Sequence, residues 1–182
     1  MNKINKLRTE IDKIDTEILK LLNKRSKVVY YIGKAKKSKN LFRPERQANI
    51  LKKLFSLKFN KISPEIIFSY WRSIFFSQIN IQGGIDVIVL KSAKKKEIFC
   101  IYDYFSHEVD IIKCNSVQSA YKKIISTGNS ILIMPYPTSK GEGLWWTKYK
   151  FSSTCIIATL PFLINKKQKP ILVVISKYMP SI

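Results

Sequence analysis

The apolar positions in the first third of the chain fall at helical spacing. From Leu7 they continue through Ile11, Ile14, Ile18, Leu21, Val28, Ile32 and Ala35, in steps of four and three. One position breaks the stripe: Arg25 stands where the pattern asks for an apolar side chain. The stripe predicts a helix from about Asn5 to about Lys37, capped by Asn5 and free of proline. A second helix is predicted from Pro44, a favoured first-turn residue, to about Lys58, with Ile50, Leu51, Leu54, Phe55 and Leu57 inward. Ser63-Pro64-Glu65 supplies a cap, a first-turn proline and a first-turn acid, so a third helix starts there. It runs to about Gln82 with Ile67, Trp71 and Ile74 on one face, and Gly83-Gly84 ends it.

Length then constrains assembly. A first helix of about 33 residues spans roughly 50 Å at ~1.5 Å per residue. Two shorter helices side by side cannot cover a stripe that long, and an uncovered stripe is an exposed apolar patch. A dimer of antiparallel long helices, each covered by both chains, solves this. A break near Gly33 is the simpler alternative.

From Ile85 the period changes to short apolar runs. IDVIVL, EIFCIY, VDIIKC, SILIMPY, TCIIATLPF and PILVVIS read as buried or half-buried strands. Lys94-Lys95-Lys96 reads as a solvated hairpin turn between the first two. NSVQSAYKKIISTGN is helical, with Ser116 as cap and Gly128 as stop, so strand, helix and strand form a βαβ crossover. The predicted architecture is an all-α three-helix domain over residues 1–83, followed by a small α/β domain over 84–182. The chain stops just after its last apparent strand, which leaves open that this domain is incomplete.

Composition changes the picture in three ways. The chain of 182 residues is 46% hydrophobic, enough for a real core, which excludes a disordered basic tail. Its net charge of +21 is spread throughout, with 19 Lys and Arg against 6 Asp and Glu up to Gln82. Nucleic acid, an anionic small substrate, or lysine filling neutral surface positions would each account for it. Three scattered cysteines and one histidine give no zinc set, and reduced thiols suit a cytoplasmic protein. The charged N-terminus lacks a signal core, and no apolar run reaches the ~20 residues that span a bilayer.

The chemistry lies in the polar residues on apolar stripes. Lys36 follows Arg25 by three turns, about 20° off the same line and about 16 Å away at Cα. Arg46 heads the line Ile50, Leu54, Leu57. Gln78 and Gln82 continue the line Ile67, Trp71, Ile74. Any one of these has a structural explanation, such as a snorkelling arginine. Together, inward cations with few acidic partners predict an anion-binding cavity, because buried charge is costly unless paired. Carboxylates fit, since arginine binds them bidentately, and two amides could hold an ether or hydroxyl. No nucleophile, metal set or phosphate loop accompanies the cavity, so an enzyme built on it works by positioning and electrostatics.

With these residues in view, LRTEIDKIDTEILKLLNKRSKVVYYIGKAK, FRPERQANIL and YWRSIFFSQINIQG resemble the all-helical class of chorismate mutase over about residues 4–83. The matching pieces are LR, DxID, LLxxR, IGxxK, RPxRQ and the final glutamine. The resemblance implies an intertwined homodimer that converts chorismate to prephenate by a Claisen rearrangement without a cofactor or metal. It implies that Arg25 binds one carboxylate with Arg8 of the partner chain. Lys36 would contact a carboxylate and the ether oxygen, with Gln82 on that oxygen's other side, which makes Arg25, Lys36 and Gln82 the catalytic set. Arg46 would lie beside the site, and Arg43 near the substrate hydroxyl. Gln47 stands where the family usually has the glutamate that holds this hydroxyl, and Gln78 where many members have a small hydroxyl residue. The second domain resembles the C-terminal extension of one bacterial group of these mutases through ILIMPYP, GLWW, IIATLPF and ILVVIS, and is weakly similar to part of prephenate dehydratase. It lacks that enzyme's Thr-Arg-Phe motif, so dehydratase activity is not expected, and a regulatory, stabilising or vestigial role stays open. The competing readings are a basic helical nucleic-acid-binding module and an inactive mutase fold serving as a regulatory subunit.

Overall fold

The computed structural model describes residues 2–35, 40–57, 59–164 and 168–179. The chain forms two compact units, 1–38 and 39–182.

The first unit is a single helix, α1, Lys3–Ala35. It runs through Gly33 without interruption, as the long-helix reading expected, and the alternative of a break there does not hold. None of its 33 residues is buried. Leu7, Ile11, Ile14, Ile18, Leu21, Val28 and Ile32 are all exposed. The helix has the stripe the sequence predicted, and the stripe is exposed.

The second unit begins with helices α2, Pro44–Ser56, and α3, Pro64–Ile81. Pro44 and Pro64 sit in the first turns, where a missing N–H costs nothing. The Ser63 hydroxyl accepts from the Ile66 N–H at 3.4 Å. At the other end of α3, the N–H groups of Gly83 and Gly84 donate to Asn80 and Ile79 carbonyls. Both glycines have positive φ, 117° and 74°, which glycine adopts without strain. Leu51, Ile67, Phe75, Phe76 and Ile79 are buried, while Leu57, expected inward, is exposed one residue beyond the end of α2.

A five-stranded sheet follows, in the order β2-β1-β3-β5-β4. Its strands are β1 Asp86–Leu90, β2 Asp110–Cys114, β3 Ser130–Pro135, β4 Cys155–Leu160 and β5 Leu172–Ser176. β1 pairs in parallel with both β2 and β3, and β5 pairs antiparallel with β3 and β4. The βαβ crossover is present: α5, Val117–Ser126, joins β2 to β3, and Ser116 and Ser119 cap its start reciprocally. A short helix α6, Trp145–Lys148, covers the end of β3, and its Trp145 indole N–H donates to the Pro135 carbonyl at 2.7 Å.

One expected strand is a helix. EIFCIY lies within α4, Lys95–Phe105, and the three lysines open that helix instead of forming a hairpin turn. Ile98, Ile101, Tyr104 and Phe105 recur at helical spacing once the reading extends past Tyr102. Glu97 fixes the start, accepting from the Lys94 backbone N–H at 2.7 Å. Helices therefore lie on both faces of the sheet. On one face, Ile101, Tyr104 and Phe105 of α4 pack with Val87, Val89, Ile131 and Ile133; on the other, Ala120 and Ile124 of α5 pack with Ile88, Leu132 and Met134. Phe42, Phe76 and Ile79, from the helical segment, belong to the α4-side core. Among the described residues, no helix is long and apolar enough to cross a membrane.

Candidate active site

The expected site residues divide between the two units. Arg8 and Arg25 lie on α1, Arg8 exposed and Arg25 half-buried. Lys36 lies outside the described residues. Arg43, Arg46, Gln47, Gln78 and Gln82 belong to the second unit, on or beside α2 and α3.

Arg43 is the residue before α2, and its Nε donates to the Glu45 carboxylate at 2.8 Å. Both groups are partly solvated, so the pair adds little stability and serves mainly to orient the guanidinium. Arg46 is exposed in the single chain, although its helical line pointed inward. Gln78 is buried, as the line Ile67, Trp71, Ile74 implied. Gln82 sits one turn later, and its side-chain amide donates to the main-chain carbonyl of Gln78 at 3.0 Å, which fixes the Gln82 side chain. Its carboxamide oxygen is the end left to accept from, or lie beside, another group.

Gln47 is also buried, and its carboxamide oxygen accepts from the Tyr104 hydroxyl of α4. Burial pushes the Tyr104 phenol far above its usual range, so it stays protonated and acts as donor. Beside it, the Arg72 guanidinium of α3 meets the Asp103 carboxylate of α4 at 2.6 Å. The sequence reading missed Tyr104 because it placed the residue beyond a strand. The available signal was a tyrosine three residues after Ile101 on an apolar helical face, where a hydroxyl needs a partner.

The α/β region has a recess of its own. A cavity of about 210 Å³ lies at the carboxyl ends of β1 and β3, lined by Val89, Ala93, Val117, Ile133, Pro135 and Trp145 among others. Its walls are almost wholly apolar, and Glu97, its one charged residue, is already bonded to the start of α4. Among the described residues no group of acids, histidines and cysteines could hold a metal ion.

The cationic and amide side chains on α1 to α3 lie in the part of the chain that matches known proteins. Residues 7–83 match the family chorismate mutase type II. The bifunctional chorismate mutase/prephenate dehydratase of Neisseria gonorrhoeae is 24% identical over 132 residues, 72% of this chain and 36% of that protein. The enzyme of the same description from Aquifex aeolicus is 28% identical over 130 residues, 68% of this chain and again 36% of the relative. The chain thus spans little more than a third of the length of these relatives. A crystal structure of chorismate mutase from Helicobacter pylori in complex with prephenate is 30% identical, covering 43% of this chain and 88% of that one with a TM-score of 0.42. Residues 7–83 of this chain are thus a chorismate mutase type II domain.

Proposed function

We propose that the protein is a dimeric chorismate mutase, rearranging chorismate to prephenate. The family match over residues 7–83 carries the reading. The stripe on α1 supports the dimer: seven large apolar side chains at helical spacing are exposed, and a second α1 would cover them. In this reading Arg25, with Arg8 of the second copy, holds the carboxylates of the substrate. Lys36 and Gln82 flank the ether oxygen, where negative charge develops as the C–O bond lengthens. Arg43 and Gln47 lie at the substrate hydroxyl, with Arg46 beside the site and Gln78 shaping the pocket. No proton needs to leave the substrate, and no covalent intermediate forms. The barrier falls because the dianion is held in its reactive conformation against fixed cations and amides.

The domain division follows the same reading, with the mutase segment at 1–83 and the α/β region at 84–182. We assign the reaction to the cytoplasm, where the free thiols of Cys100, Cys114 and Cys155 stay reduced.

The test is the loss of chorismate absorbance on adding purified protein. Wild type is expected to turn over, and Arg25→Lys to lose on the order of 100-fold or more in kcat/KM, because a point charge cannot replace the bidentate fork. A silent wild type, or equal rates for the two proteins, sinks the assignment.

A further inference from the structure

The α/β region reaches a residue of the mutase segment through one hydrogen bond. Gln47 lies on α2, within the family match, and Tyr104 lies on α4, outside it. Both side chains are buried, and the tyrosine hydroxyl donates to the glutamine oxygen.

Tyr104 is held on several sides. Its ring centroid lies 6.1 Å from Phe42, 6.4 Å from Phe68, 4.8 Å from Phe105 and 5.1 Å from Phe162. These rings come from the lead-in to α2, from α3, from α4 and from the segment after β4. A tyrosine packed in this way has little rotamer freedom, so its hydroxyl is a fixed point. The Arg72–Asp103 pair ties the neighbouring residue of α4 to α3.

The donor at this point selects the chemistry of residue 47. An ionised carboxylate set against these aromatic rings would be a costly buried charge, with a neutral hydroxyl as its donor. A carboxamide is neutral, satisfies the hydroxyl with its oxygen, and keeps its NH2 group for a second partner. Resting on the proposed mutase reading, we infer that Tyr104 is a positioning residue of the mutase site: it fixes the Gln47 carboxamide so that its NH2 group faces the substrate hydroxyl. The α/β region then supplies a working part of the site, and Gln47 is the residue suited to receive it. At this wall the substrate hydroxyl oxygen accepts a hydrogen bond from the amide, whereas a glutamate would accept one from the hydroxyl.

A double-mutant cycle on the full chain tests this, with kcat and KM for chorismate measured for wild type, Tyr104→Phe, Gln47→Leu and the double variant. Tyr104→Phe keeps the aromatic packing, and circular dichroism at the assay temperature reports that the fold is retained. Its kcat/KM is expected to fall about tenfold, the size of one lost hydrogen bond. In the Gln47→Leu background the same change is expected to move kcat/KM less than about twofold, because Tyr104 acts only through Gln47. A purely packing role would lower both backgrounds alike. Unchanged kinetics in Tyr104→Phe, or an equal loss in both backgrounds, overturns the inference while leaving the mutase reading intact. An inactive wild type overturns the mutase reading first.

Discussion

In strand β3 five of six residues are buried, whereas in α1 none of 33 is. Both segments are written in the same hydrophobic code. In β3 the chain completes its own pattern: Ile131 and Ile133 meet α4 on one face, and Leu132 and Met134 meet α5 on the other. In α1 the pattern is as regular, but its apolar side chains are exposed. Periodicity therefore tells which residues seek cover, while the source of that cover depends on how much apolar surface the rest of the chain has to spare.

The sharpest way to break this contrast is to place charge in the open stripe. Ile14→Asp is expected to convert the proposed dimer to monomer and abolish chorismate turnover, as read by sedimentation and the absorbance assay. A monomeric wild type would show that α1 is not covered by a second copy. Truncation within the closed pattern should cost less. Leu132→Ala removes a side chain with no exposed surface and should lower unfolding free energy by ~2–5 kcal/mol. By contrast Leu19→Ala, exposed and off the α1 stripe, should change it by less than about 0.5 kcal/mol. Urea titrations of both variants make the comparison, and equal losses would erase the difference between the segments.

The smallest effect concerns alkali and the second unit alone. Burial, then the Asp103 carboxylate, push the Cys100 thiol from 9.0 up to about 11, with Lys96 pulling the other way. The folded thiol therefore holds its proton where the unfolded one gives it up. This contribution is complete below pH 9 and is lost as pH rises from 9 towards 11. Cys100→Ala should flatten that part of the stability curve by a modest amount, measured by thermal melts across pH. An unchanged slope would remove Cys100 as a contributor.

Much of this was readable from the residues. Ser63-Pro64-Glu65, Ser116 and Gly83-Gly84 mark element ends through local chemistry, so the boundaries of α3 and α5 follow from neighbours in sequence. The α4 segment misled because EIFCIY alone is a short apolar run, which has no period; the helical repeat appears only when Tyr104 and Phe105 are included. Gln47 could be picked out as a departure from the family. Its partner could not, because Tyr104 lies 57 residues away and only the packing of α4 brings them together. Arg46 shows the limit from the other side: a helical line indicates a face, but exposure depends on what lies opposite.

The α4-side core has a consequence for the gene. Phe42, Phe76 and Ile79 are encoded within the mutase segment, yet their packing partners Val87, Ile101, Phe105 and Ile133 are encoded after it. A stop codon placed after Gly83 would keep every proposed mutase residue from Arg8 to Gln82 and still release a sticky chain, with the aromatic side of α3 turned to water. In this protein the α2–α3 segment and the α/β extension are two stretches of message for one hydrophobic core, and a cut at the coding boundary between them runs through that core.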